Sequence, residues 1–253
     1  MSRIYDLLAR VYDTPDHLEI AAAFHAAVRP IARARPRGTW VLDLACGTGA
    51  LAEKLGRAQI PVIGVDSSRE MLAIAKRRCR AVADRVRFQR ANLATFRVRE
   101  PCAVATACGD VMNHMLTRAV LVKILRRARA NLLPGGVLVF EAHNRFCYER
   151  YWNGHDYLME GPGGDLAMCC EWDARRRRAT ARMIGYARTG AHRWERVETT
   201  LVERYHSDAE LRSALRAAGF EKIRHEPWSP WDDQHREAAI DRNLWTARVP
   251  ERA

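Results

Sequence analysis

The residues able to do chemistry fall in a row along the first half of the chain: Asp43, the loop Cys46-Gly47-Thr48-Gly49, Asp66, Asn92, Asp110, His114 and His143. Two glycines bracket Thr48, directly after the apolar run Trp40–Leu44 and directly before a helix-like run. Glycine serves where backbone passes close to a ligand or takes positive φ. A helix that follows offers its free N–H groups and positive dipole end to an anion. "GTGALA" satisfies the permissive dinucleotide fingerprint, so the glycines alone leave the ligand open.

Three features narrow it. Asp43 lies inside the strand, where an acid disfavours a pyrophosphate and suits an ammonium group; the bland alternative is a cap on the next helix. No GxxxxGK[ST] occurs, which excludes a P-loop for a triphosphate. The sheet closes with a strand after "LLPGG", a helix and two last strands. Asp66 ends the second strand in "VIGVDSS"; a carboxylate only accepts hydrogen bonds, which suits ribose hydroxyls. Asn92, in "RANLATF", offers an amide to an adenine edge. An adenosine with an amino-acid tail satisfies all these groups, so the expected cofactor is S-adenosyl-L-methionine.

The elements that position these residues alternate. Helices are expected over 3–12 and 16–35, then strand Trp40–Leu44, helix Thr48–Arg57, strand Pro61–Val65, helix Ser68–Arg80, and strands Val86–Gln89 and Ala103–Ala107. Helix Arg118–Asn131, a turn at "LLPGG" and strand Val137–Ala142 follow. This alternation predicts a parallel sheet with helices on both faces. After Asn144 the period changes. "EWDARRRRATARM" reads as two strands around a polar turn, and Val197, Thr199, Leu201, Glu203 and Tyr205 share one face of an extended segment. Helix Asp208–Ala218 and strands Phe220–His225 and Leu244–Val249 close the chain.

Composition bounds the rest. The chain has 253 residues, enough for one large domain or a domain with an insertion. The charged N-terminal stretch carries no secretory signal, and no apolar run is long enough to span a bilayer. The seven cysteines include no CxxC pair. They read as reduced thiols with no zinc site, and neighbouring Cys169 and Cys170 lack the spaced third thiol of an arsenite site. The net charge of +12 rests largely on arginine in scattered runs, which reads as solvated faces rather than a nucleic-acid surface.

The motifs "VLDLACGTG", "GVDSSREMLAIAK", "ANLATF", "ACGDVMNHM" and "LLPGGVLVFEAHN", in this order, resemble those of class I S-adenosylmethionine-dependent methyltransferases over about residues 36–145. Further on, the chain is similar to stand-alone bacterial enzymes with a small antiparallel insertion, such as sugar N,N-dimethyltransferases and glycine/sarcosine N-methyltransferases. The resemblance implies a Rossmann-like, seven-stranded, mostly parallel sheet. It implies that Asp43, Ala45, Gly47 and Gly49 line the methionine end, and that Asp66 holds the ribose. Ser67 and Met71 then lie beside the adenosine, and Asn92 and Leu93 flank the adenine. Cys108, Gly109 and Asp110 line the methyl-transfer mouth, and Tyr5 and Tyr12, in "IYDLLARVYD", are lid residues. Asn92 stands where the family often has Asp. Met71 by itself reads as core, and Cys46 as a small buried filler.

The expected reaction is in-line methyl transfer to a nitrogen or oxygen of a small molecule. His143 and His114 are candidate bases at the carboxyl edge of the sheet, each also readable as a structural hydrogen bonder, and Asp110 is a candidate to orient an amine. Tyr151, Trp152 and Tyr157 wall an acceptor pocket or pack the insertion. The rival readings are an RNA methyltransferase and a catalytically silent cofactor-binding subunit. The expected organisation is a lid at 1–35, a core at 36–144 and 207–253, and an insertion at 145–206 covering the acceptor. The chain is expected to be cytoplasmic, off the membrane, and a monomer or homodimer.

Overall fold

The computed structural model describes residues 2–231 and 240–251. Helices α1 (Ser2–Leu8) and α2 (Pro15–Arg33) precede the alternation β1 (Trp40–Leu44), α3 (Ala50–Arg57), β2 (Val62–Asp66), α4 (Arg69–Arg78), β3 (Val86–Arg90), β4 (Cys102–Ala107), α5 (Arg118–Ala130) and β5 (Leu132–His143). A helical turn α6 (Arg145–Cys147) runs into a π-helical turn at Tyr148–Trp152. Four strands follow: β6 (Asp156–Gly161), β7 (Gly164–Asp173), β8 (Arg178–Gly190) and β9 (Arg193–Arg204). Helix α7 (Asp208–Ala217) and strands β10 (Glu221–Trp228) and β11 (Arg242–Arg248) end the chain.

The central sheet has seven strands in the order β10-β11-β5-β4-β1-β2-β3, and β11 alone runs antiparallel to its neighbours. The chain winds outward in both directions from β1, whose neighbours are β2 and β4. The crevice at this reversal, beyond the carboxyl ends of β1 and β4, is where open α/β sheets bind ligands. Alternate residues of β1 face opposite layers. Leu42 and Leu44 join Phe140, Leu125 and Trp245 on one side, while Val41 joins Phe24, Val28 and Leu55 on the other. The four inserted strands form a separate antiparallel sheet, β6-β7-β8-β9. Its buried positions alternate along β8 and close a third cluster with Leu8, Val11, Tyr148 and Trp152.

Several boundaries differ from expectation for local reasons. The first helix ends at Leu8 rather than continuing to residue 12. The chain turns there, and buried Val11 reaches the inserted sheet at Gly185, where any added Cβ would meet its side chain. Helix α3 starts at Ala50, not Thr48, because Gly49 caps it in the left-handed conformation at φ 78°. "LLPGG" is not a turn before a strand; it lies within β5, where Leu132 pairs with Cys102 and a register shift absorbs the irregularity. Arginines of the basic runs close helix ends and turns: Arg126 donates to Ala217 O, Arg129 to Gly219 O and Arg178 to Leu116 O. Among the described residues no helix is long and apolar enough to cross a membrane.

Candidate functional site

The glycine loop leaves β1 through a strained residue. Ala45 holds φ 54°, a region that costs an L-residue energy and persists where the surroundings enforce it. Gly47 follows at φ 52°, and its N–H donates to Asp66 Oδ2 at 3.0 Å. Asp66 Oδ1 accepts from Ser68 N at 2.8 Å. One carboxylate thus ties the first loop to the end of β2. Burial raises its proton affinity, and the backbone N–H groups oppose that rise.

Asp43 is different. Its Oδ1 accepts from Thr106 Oγ1 at 2.8 Å, while Oδ2 is buried with no partner among the described residues. Burial pushes its carboxyl up to about 7, against the Thr106 hydrogen bond. A carboxylate half-satisfied in a dry place is poised for a cationic partner.

After β4 the backbone takes positive φ twice, at Gly109 (84°) and Asp110 (48°). Glu141, fully buried on β5, holds this turn by accepting from both N–H groups, and its other oxygen accepts from Arg242 Nη1 at 3.0 Å. The turn aims Asp110 between two imidazoles. His114 Nε2 lies 3.0 Å from Asp110 Oδ1 and 2.9 Å from the Tyr5 hydroxyl, and His143 Nε2 lies 3.8 Å from Asp110 Oδ2. On its other side His143 Nδ1 meets Glu203 Oε2 at 3.3 Å, and Glu203 also accepts from the Tyr148 hydroxyl at 2.8 Å. Glu203 reaches this place because β9 is clamped to the core: Arg204 N donates to Asn113 O, and Asn113 Nδ2 to Arg204 O.

Charge follows geometry. Burial opposes ionisation of Asp110, but the His114 hydrogen bond and the charges of both imidazoles hold its carboxyl well below the usual range. Burial opposes protonation of His114, and Asp110 outweighs it. His143 is raised well above an ordinary imidazole against its burial, by the Cys147 sulfur and the Glu203 hydrogen bond. Burial pushes the Cys147 thiol itself up. Asp110, His143 and Glu203 are ligand types close enough to hold a metal ion. Yet the two carboxylates face opposite ring nitrogens, Glu203 at hydrogen-bond distance and Asp110 at the longer separation of an ion pair.

Two cavities meet over this crevice. One, about 260 Å3, is bordered by Tyr5, Asp66, Ser67, Asn92, Leu93 and His114. The other, about 230 Å3, is bordered by Asp43, Asp110, His143, Trp152, Tyr157 and Asp241. Tyr12, Ala45, Gly47, Cys108 and Gly109 border both, so the cavities join at the glycine loop. The N-terminal segment is fastened over them: Asp6 accepts from Ser68 Oγ, and Asp13 takes Thr48 Oγ1 at 2.6 Å and Arg78 Nη2 at 2.7 Å. Trp152 is both wall and core, buried among His143, Tyr148 and the inserted sheet.

Two expected positions border neither cavity. Met71 is 1 % exposed and packs in the core, as its helical face dictates. Gly49 is needed for its φ and for packing, since a Cβ there would lie 3.0 Å from Ala75 Cβ. Asn92 borders the cavity, but its Oδ1 already accepts from Ala94 N at 2.8 Å. Cys46 sits at half-buried depth against Gly64, where any Cβ would strike its sulfur, and burial raises its thiol.

The family described as "Methyltransferase domain" matches residues 41–136, the stretch from β1 into β5 that carries both loops. Residues 41–136 form a methyltransferase domain. Among curated relatives, the chain is 33% identical over 156 residues to a dTDP-4-amino-2,3,4,6-tetradeoxy-D-glucose N,N-dimethyltransferase of Saccharopolyspora spinosa, covering 56% of this chain and 61% of that protein. It is 33% identical over 141 residues to a dTDP-3-amino-3,6-dideoxy-alpha-D-glucopyranose N,N-dimethyltransferase of Streptomyces fradiae, covering 56% of this chain and 52% of that protein. These matches span between about half and three fifths of the relatives' length. A solved amino pentose methyltransferase of Micromonospora echinaspora with S-adenosylmethionine bound superposes with TM-score 0.65 at 25% identity, covering 97% of this chain and 96% of that one. An S-adenosylmethionine-dependent methyltransferase of Clostridium acetobutylicum shares the fold at TM-score 0.74 and 18% identity, over 98% and 97% of the two chains.

Around the methyltransferase domain stand residues that sequence reasoning did not single out: Glu141, Glu203, Tyr148, Asp241 and Arg242. Glu141 had a signal, an acid inside the apolar strand "VLVFEAH". Glu203 had one too, sharing a face with Val197 and Leu201. Asp241 and Arg242 had none, because only the sheet's last pairing brings β11 beside β5.

Proposed function

We propose that this chain transfers a methyl group from S-adenosyl-L-methionine to the amino nitrogen of a small molecule, with amino sugars the class its relatives' names favour. The observation that carries the reading is Asp43. Its unpartnered oxygen lies beside the junction of two cavities, where an amino-acid ammonium supplies the missing partner. When bound, the cofactor supplies a methyl group on a positively charged sulfur.

In this reading Asp43, Ala45 and Gly47 hold the methionine end, and Asp66 and Ser67 the ribose. Asn92 and Leu93 flank the adenine, with Cys108 and Gly109 at the mouth. Tyr5 and Tyr12, on the segment fastened by Asp6 and Asp13, form the lid; Met71 and Gly49 support the site from behind. Asp110 orients the acceptor amine. His114 and His143 keep Asp110 ionised, and while protonated they cannot accept a proton, so a base role for either begins above its raised pKa. The inserted sheet at 145–206 roofs the acceptor side.

S-adenosylhomocysteine tests the cofactor half: at a hundredfold its dissociation constant it should stabilise the protein by about 2.7 kcal/mol. Mass spectrometry after incubation with S-adenosylmethionine and a panel of aminodeoxyhexoses tests the other half, with a gain of one or two methyl groups on nitrogen expected. Stabilisation by NAD with none by S-adenosylhomocysteine would overturn the reading.

A further inference from the structure

Asp43 has a counterpart in the cavity of about 230 Å3 that it borders. Asp241 begins the segment leading into β11, is 5 % exposed, and borders the cavity that also holds Asp110 and Trp152. Its Oδ1 is buried with no hydrogen-bond partner among the described residues. Among the described residues, the cation it pairs with is Arg242, whose Nε stands 3.7 Å from Asp241 Oδ2, beyond hydrogen-bond distance. Arg242 is engaged elsewhere, at 3.0 Å from Glu141. Glu141 needs that charge, because it is fully buried and already holds the Gly109–Asp110 turn. One guanidinium therefore faces two buried carboxylates, and Asp241 is the one whose Oδ1 has no hydrogen-bond partner among the described residues.

A buried acceptor with no partner lowers stability and is kept where a ligand supplies the donor. The carboxylate is symmetric and its terminal torsion is soft, so a small rotation presents either oxygen to the cavity. Asp43 and Asp241 border the same space, and Asp43 is taken by the cofactor's ammonium in the proposed function. We propose that Asp241 is the specificity carboxylate of the acceptor site, accepting a hydrogen bond from an O–H or N–H of the acceptor other than the nitrogen that is methylated. The class of acceptor this selects is a small amine with a second donor group within one ring, as in a hydroxylated aminodeoxyhexose. An acceptor carrying a phosphate or carboxylate at that place is repelled. The inference rests on the methyl-transfer reading given above.

Two variants test it, Asp241→Asn and Asp241→Leu, with three readouts. S-adenosylhomocysteine affinity is measured by calorimetry, the acceptor KM with methyl aminodeoxyhexosides that carry or lack a hydroxyl beside the amine, and Tm without acceptor. S-adenosylhomocysteine affinity should stay within twofold of wild type. KM for the hydroxylated acceptor should rise about tenfold in Asp241→Asn and further in Asp241→Leu, while the deoxy acceptor should show little change on substitution. Tm should hold or rise in both variants, since they remove a buried carboxylate whose Oδ1 has no partner among the described residues. A fall in Tm with acceptor KM unchanged would make Asp241 a structural partner of Arg242 and overturn the proposal. Equal KM losses for both acceptors would overturn it as well. If the wild type binds S-adenosylhomocysteine but methylates no member of the panel, the acceptor class fails with the amino-sugar reading, and a lowered Tm in Asp241→Leu still counts against the unpartnered role. Loss of S-adenosylhomocysteine binding in the wild type would sink the methyl-transfer reading itself.

Discussion

The rim of the parallel sheet and the inserted antiparallel sheet face one crevice and build it by different means. On the rim, backbone does much of the work. Ala45, Gly47, Gly109 and Asp110 all hold positive φ, and the carboxylates of Asp66 and Glu141 receive the N–H groups of these turns. Under the inserted sheet, side chains do it: Glu203 meets His143 and Tyr148, and Trp152 packs within 6.1 Å of the same imidazole. Backbone recognition depends on turn geometry and tolerates change of side chains around it. Side-chain recognition changes with each substitution. A fold that separates the two can keep one ligand and vary the other.

That separation breaks most visibly at Trp152. The side chain is both cavity wall and core, so Trp152→Ala should cost about 3–5 kcal/mol of stability, read as a shifted denaturant midpoint. The milder Trp152→Phe should fold, raise the acceptor KM and leave S-adenosylhomocysteine affinity within about twofold, under about 0.5 kcal/mol. A Trp152→Phe variant that loses cofactor affinity and keeps acceptor affinity would erase the distinction between the two regions.

Glu203 joins the regions, and its effect should be the next largest. The Cys147 sulfur and the Glu203 hydrogen bond raise the folded-state proton affinity of the His143 imidazole against its burial. The resulting stabilisation is fully present below the unfolded imidazole value and is lost as pH rises through the raised folded value. Thermal melts should therefore show stability declining on the alkaline side of about 6.5. Glu203→Gln should cost about 2–3 kcal/mol near neutral pH, as for a hydrogen bond to a charged group, and flatten that decline. An unchanged alkaline slope would place the titration elsewhere.

Asp43 sharpens the comparison from the rim side with the smallest effect. Its carboxyl stands at about 7 in the free protein, so an ammonium ligand must displace a proton below that pH. S-adenosylhomocysteine affinity should rise with pH up to about 7 and level off above it. Asp43→Asn keeps the oxygen and loses the charge; it should weaken binding about tenfold, about 1.4 kcal/mol, and remove the pH dependence. Calorimetry at several pH values reads both, and a flat wild-type profile would remove Asp43 from the ammonium.

The sequence by itself determined the alternating sheet, the two loops and the acids at their edges, because these are local events. A strand's period, a glycine that must turn, and an acid ending a strand are visible within a few residues. Asp43, Asp66, Asp110 and both histidines were legible in this way. Helix ends were legible only to within a few residues: Leu8 ends α1, rather than residue 12, because Val11 is drawn to Gly185, far along the chain. Only the tertiary structure decided the charge states and partners. In sequence His143 reads as a candidate base or a structural hydrogen bonder. Only the fold raises its proton affinity, by setting the Cys147 sulfur beside the ring and, through strand β9, Glu203 against its Nδ1. Met71, placed beside the adenosine by the resemblance and read as core by its own helical face, is core. Arg242 and Asp241 acquire meaning only when β11 pairs with β5, a contact across a hundred residues. Burial converts such meetings into shifted pKa values and unpartnered oxygens, and no local pattern of residue types encodes which distant charges will share one dry cavity.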